Sequence, residues 1–210
     1  MTSGRPLSAL QRIPNLLTSL RLVLALCFLA AEAFEQQLAA QITGLVIFFL
    51  ASLTDIFDGW MARRYGAVTQ FGLLMDPIAD KILVASALIV FVHSPFIRMP
   101  AWPVALIIGR EFAMTGLRLL ASAEGVTLGA DWGGKFKTIM QMVGLHYFLI
   151  VDILQNPRVQ AYLPHLSEYR DPLRLSVLIL MYFVTAITVY TGIDYLIRNY
   201  RYLVSGSQQS

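Results

Sequence analysis

Residues 40–62 read AQITGLVIFFLASLTDIFDGWMA and residues 72–93 read GLLMDPIADKILVASALIVFVH. Each run is long enough to cross the hydrocarbon of a bilayer, and each carries two aspartates. A charge at the centre of a spanning helix costs about 2.5 to 3.5 kcal/mol on insertion scales, so Asp55, Asp58, Asp76 and Asp80 need compensation and mark a site. Helical geometry sorts them into pairs. Asp55, Asp58 and Ala62 follow at i, i+3 and i+7, and Gly72, Asp76 and Asp80 at i, i+4 and i+8, so each set occupies one helix face. If 63–71 turns the chain back as a hairpin, Asp58 and Asp76 lie near its mouth and Asp55 and Asp80 about one turn deeper, pair facing pair.

Four carboxylates with no histidine nearby are hard oxygen donors, suited to Mg²⁺ or Mn²⁺ rather than zinc, and two such ions would offset all four charges. A buried ion network with Arg63, Arg64 and Lys81 competes with that reading, as does a proton or cation pathway. Neither explains the small residues on the same faces. Gly59, Ala62 and Gly72 leave room for a ligand to approach the backbone, although small residues also serve helix contacts in lipid. Pro77 implies a kink or a later start to its helix.

The whole chain has the composition of a membrane protein. Of its 210 residues 57% are hydrophobic and 14% charged, against about 25% charged in soluble domains, and the mean hydropathy is +0.63. That excludes a disordered chain and argues against a soluble globule. A net charge of +3 from dispersed basic residues excludes a nucleic-acid surface. Cys27, the single cysteine, rules out an intrachain disulfide and a thiolate metal site.

Apolar stretches at 15–34, 40–62, 72–93, 101–122, 133–155 and 173–197 predict an all-α membrane protein with six transmembrane helices. Residues 1–14 are expected to form a short interfacial segment, 15–200 the six-helix transmembrane domain and 201–210 a C-terminal tail. A cleaved leader competes for the first stretch, but Arg21 interrupts it and further spans follow. Pro14-Asn15 reads as the helix start, with Asn15 as N-cap; 156–172 reads as a long loop, and Tyr195, Tyr200 and Tyr202 as an aromatic belt. Arg5, Arg12, Arg63, Arg64, Lys135, Lys137, Arg198 and Arg201 gather at one face, which makes both termini cytoplasmic. His93, His146 and His165 are scattered, as packing or interface residues are.

The stretch from Asp55 to Asp80 has the form D-x-x-D-G-x-x-A-R-x8-G-x3-D-x3-D, with all eight specified positions filled, and resembles the signature of the CDP-alcohol phosphotransferases. The stretches 13–18 (IPNLLT), 109–112 (GREF), 116–118 (GLR) and 134–138 (GKFKT) resemble the phosphatidylglycerophosphate synthase branch of that family. The likeness runs over most of 13–150 and thins beyond.

This resemblance implies a six-helix membrane enzyme, usually a homodimer, that transfers a phosphatidyl group from CDP-diacylglycerol to an alcohol and releases CMP. For this branch the alcohol is sn-glycerol 3-phosphate. It further implies that Asp55, Asp58 and Asp76 hold two divalent cations, with Asp80 touching one and accepting the proton of the attacking hydroxyl. Gly59, Ala62 and Gly72 would make room for the CDP-diacylglycerol headgroup, with Asn15 and Thr18 on the neighbouring helix. Arg63 would contact the pyrophosphate or brace an aspartate.

An acceptor carrying a phosphomonoester needs several donors, and Arg110, Arg118, Lys135 and Lys137 supply them. Arg110 lies well inside its span, which calls for a ligand or for Glu111 as partner. Lys135 and Lys137 could instead only anchor a helix end. A cationic alcohol such as choline or ethanolamine gains nothing from this cluster; inositol phosphate obeys the same charge logic and is the competing acceptor. A cation transporter built on the four aspartates is the reading from a different class. The expected location is a bacterial inner membrane with the site facing the cytoplasm.

Overall fold

The computed structural model of this chain describes residues 9–34, 37–65, 70–123, 125 and 132–205, with backbone alone at 9–15, 55–65, 70–74, 76, 123 and 200–205. Helices α1 (Ala9–Glu32), α2 (Leu38–Tyr65), α3 (Gln70–His93), α4 (Ala101–Ala123) and α5 (Trp132–Leu154) follow the first five apolar stretches. After them come a short α6 (Pro157–Tyr162), a 3₁₀ turn (Pro164–Tyr169) and the long α7 (Arg170–Ser205). No strand occurs among the described residues.

Four boundaries differ from the sequence expectation, three of them through proline. α1 begins at Ala9 and runs through Pro14, so Pro14-Asn15 is no helix start; the proline removes one backbone bond early in the helix, which then continues. α3 likewise runs from Gln70 through Pro77. The expected loop at 156–172 is mostly helical, because its prolines stand where helices begin. Asn156 caps α6, its side chain accepting from the Arg158 amide at 3.0 Å, and Pro157 and Pro164 open α6 and the 3₁₀ turn. α7 extends to Ser205, beyond the expected end of the last span.

Among the described residues, α1 packs along both α2 and α3, whereas α2 and α3 touch each other over only a short stretch. α3 is the central helix: Leu83, Ala87, Leu88 and Phe91 are buried, and Ile89 is its exposed large apolar residue among the described ones. Phe91 meets Phe148 of α5 edge-on at 4.7 Å, and Phe28 of α1 meets Phe48 of α2 at 5.4 Å. His146 packs on Phe48 at 4.8 Å and Phe49 at 6.0 Å, a packing role as expected.

The outside of the bundle is apolar as well. Leu16, Leu20 and Val23 on α1, Ile42, Val46 and Phe49 on α2, and Leu175, Ile179 and Phe183 on α7 form exposed stripes at helical spacing. Stripes of this kind on several helices have no place in water and make this a lipid-facing bundle. By length and composition, 132–154 and 164–199 stand out as apolar enough to cross a bilayer among the described residues.

Among the described residues, polar groups are gathered in two places inside the bundle. At one end Asp152 of α5 accepts from Gln41 Nε2 at 2.8 Å and Ser94 Oγ at 2.7 Å, and Gln41 accepts from Asn156 Nδ2 at 2.8 Å. The buried Glu32 carboxyl reaches this region over Gly44, which has no side chain to block it. The second gathering surrounds Glu111.

Candidate active site

The α3 helix presents Asp80 and, beside it, Lys81. Lys81 Nζ lies 3.1 Å from Asp80 Oδ2 and 2.5 Å from Glu111 Oε2, joining α3 to α4. The other Glu111 oxygen receives Arg110 Nη1 at 3.1 Å and the Lys137 ammonium of α5. Glu111 and Lys137 are buried, while the Asp80 side chain is 31% exposed and open to a ligand. Among the described residues, two carboxylates stand against three cations in this cluster, and that excess of cations favours an anion.

Helix α7 forms another wall. Arg110 Nη2 donates to Thr191 Oγ1 at 3.3 Å, and the Arg110 stem lies against Gly192, where an added Cβ would stand 3.0 Å from its Cγ. Further along α4 and α7 the Arg118 guanidinium sits over the Tyr195 ring, 5.4 Å from its centre. Tyr195 is 4% exposed, so it is a buried residue of the bundle and not part of an aromatic belt. Its hydroxyl, Arg110 Nε and Arg118 Nε have no hydrogen-bond partner among the described residues.

Of the residues singled out from sequence, Asp80, Arg110 and Lys137 thus meet in one cluster, bridged by Lys81 and Glu111. Glu111 is the partner that Arg110 needs. Arg118 stands apart on Tyr195, and Lys135 is exposed and joins no ion pair among the described residues. Thr18 is buried on the inward face of α1. The side chains of Asn15, Asp55, Asp58, Gly59, Ala62, Arg63, Gly72 and Asp76 lie outside the described residues. The backbone is helical through Asp55–Asp58 and Asp76–Asp80, so each acidic pair does share a helix face.

Sequence reasoning passed over Thr191, Gly192 and Tyr195 as site residues. One signal was available: Thr188, Thr191 and Tyr195 recur at i, i+3 and i+7, a polar stripe within the last apolar stretch.

The sequence profile of the CDP-alcohol phosphatidyltransferase family matches residues 11–190, from the first turn of α1 far into α7. The chain belongs to this family. Among its CDP-alcohol phosphatidyltransferase relatives, a probable phosphatidylglycerophosphate synthase of Mycobacterium tuberculosis H37Rv is 38% identical over 191 residues, 90% of this chain and 82% of that protein. A CDP-diacylglycerol–glycerol-3-phosphate 3-phosphatidyltransferase of Haemophilus influenzae is 32% identical over 189 residues, 88% of this chain and 91% of that protein. The Bacillus subtilis protein of the same name is 45% identical over 111 residues, 53% of this chain and 56% of that protein. The matched region contains the signature from Asp55 to Asp80 and the whole Asp80–Glu111–Lys137 cluster.

Proposed function

We propose that the chain is a membrane phosphatidyltransferase that moves the phosphatidyl group of CDP-diacylglycerol to sn-glycerol 3-phosphate, giving phosphatidylglycerophosphate and CMP. The observation that carries this reading is the link through Lys81 between Asp80 and the Glu111 cluster. It sets a carboxylate able to accept a proton beside a group of cations suited to a phosphorylated alcohol. The names of the relatives agree with that pairing of substrates.

The motif aspartates fit a pair of divalent cations. They are hard oxygen donors, and helical backbone brings each pair onto one face. Asp55, Asp58, Asp76 and Asp80 would hold two Mg²⁺ or Mn²⁺ ions, and the chemistry supplied on binding is charge neutralisation at the pyrophosphate and at the departing CMP. Gly59, Ala62 and Gly72 give the CDP-diacylglycerol headgroup its space, Asn15 and Thr18 line it from α1, and Arg63 adds positive charge.

Arg110, Arg118 and Lys137 grip the phosphate of the acceptor, and exposed Lys135 draws it in from solvent. Asp80 takes the proton as the acceptor hydroxyl attacks the phosphorus bearing the lipid; a new O–P bond forms and the P–O bond to CMP breaks. Six long helices cross the membrane with both termini cytoplasmic, the site faces the cytoplasm of a bacterial inner membrane, and the protein works as a homodimer.

The test is CMP release by purified protein given CDP-diacylglycerol and Mg²⁺ or Mn²⁺, with glycerol 3-phosphate or inositol phosphate in parallel, with and without chelator. Chelator-sensitive release with glycerol 3-phosphate alone is the expected result. Release with inositol phosphate alone reassigns the acceptor. Release with neither, together with nucleotide-independent ion flux, favours a transporter.

A further inference from the structure

We propose that α7 sets the acceptor specificity of this site: Thr191 and Gly192 aim Arg110, and the Tyr195 hydroxyl, beside Arg118, supplies a direct hydrogen bond to the acceptor. The inference rests on the transferase reading and deepens it. It concerns residues that lie beyond the stretch matched by the family, which ends at residue 190.

Arg110 is held at three points. Glu111 takes Nη1, Thr191 takes Nη2, and the flat backbone of Gly192 receives the aliphatic stem. Without Gly192 the stem has to shift, because a Cβ there would meet Cγ at 3.0 Å and Nε at 3.5 Å. With one hydrogen on each terminal nitrogen engaged, Nε is a further donor open to a ligand, and it is buried without a partner among the described residues.

Tyr195 repeats the pattern one turn later. Its ring is covered by Arg118 while its hydroxyl, inside a residue only 4% exposed, makes no hydrogen bond among the described residues. Arg118 Nε is in the same condition. Buried donors in a folded protein are satisfied in the great majority of cases, so the donors left open between α4 and α7 are those a bound molecule completes. Their charge selects a phosphate, and the neutral phenol selects a hydroxyl or ester oxygen next to it. Thr191 and Gly192 are positioning residues, acting through Arg110.

The experiment compares the full-length protein with Gly192→Ala, Gly192→Val, Thr191→Val and Tyr195→Phe, measuring KM for glycerol 3-phosphate and for CDP-diacylglycerol in CMP release. Stabilisation against thermal unfolding by glycerol 3-phosphate and by inositol phosphate is measured on the same preparations. Expected is a rise in acceptor KM, about threefold for Gly192→Ala and tenfold or more for Gly192→Val, with CDP-diacylglycerol KM within twofold of wild type. Tyr195→Phe, one oxygen smaller, raises acceptor KM without lowering the melting temperature. Equal changes in both KM values, or none, overturn the proposal. So does wild-type protein stabilised by neither phosphate. Wild-type protein that is stabilised by a phosphate, in a manner lost with Gly192→Val, yet releases no CMP with glycerol 3-phosphate, upholds the α7 wall and refutes the assigned reaction.

Discussion

Lys81 of α3 and Glu111 of α4 meet at 2.5 Å, and the same carboxylate holds Arg110 of its own helix and Lys137 of α5. One side chain therefore ties together three helices and three cations. Replacing Glu111 by Gln keeps its shape and removes its charge. Losing one partner of a buried ion pair costs about 3 to 5 kcal/mol. Glu111→Gln is expected to lower the melting temperature in detergent and to reduce CMP release at least tenfold. A variant that melts and turns over as wild type would show that the cations are held by other groups.

In the proposed reaction Asp80 is the proton acceptor, and Lys81 lies 3.1 Å from it. Asp80→Asn is expected to cut turnover by about 10² to 10⁴, the usual span for general base catalysis. Much of the CDP-diacylglycerol binding should survive. Equal loss of binding and turnover would contradict the base role.

Removal of divalent cations is expected to abolish CMP release, and Mg²⁺ or Mn²⁺ to restore it. The donor set is all oxygen, so zinc should restore it poorly. Full recovery with zinc alone would speak against the carboxylate site.

Asp152 serves stability at the other end of the bundle, where it accepts from Gln41 and Ser94. Asp152→Ala leaves both donors in search of partners, a loss of about 1 to 3 kcal/mol for each buried group left unsatisfied. A lower melting temperature is expected, with kcat per folded molecule close to wild type. A large fall in kcat would connect the two polar ends functionally.

The long helices were legible because apolar length is a strong signal: the stretch expected at 101–122 became Ala101–Ala123, and that at 133–155 became Trp132–Leu154. Proline was the weak point. At Pro14 and Pro77 helical packing absorbs one missing backbone bond, and at Pro157 and Pro164 the residue opens a helix, where sequence alone suggested breaks. In the site, Asp80, Arg110 and Lys137 were legible as charges in apolar surroundings. The part played by α7 was not, since Thr191, Gly192 and Tyr195 carry no charge and gain their meaning from Arg110 and Arg118, about 80 residues earlier in the chain.

The two polar gatherings share α5, one at Lys137 and the other at Asp152. Fifteen residues of helix separate them, about 22 Å at 1.5 Å per residue. A bilayer's hydrocarbon is about 30 Å thick. The polar ends are thus closer together than the greasy layer around them is deep. In the proposed reaction a nucleotide-bearing lipid would meet Asp80 below the level of its neighbours' headgroups, so the rate is expected to change with the thickness of the surrounding bilayer.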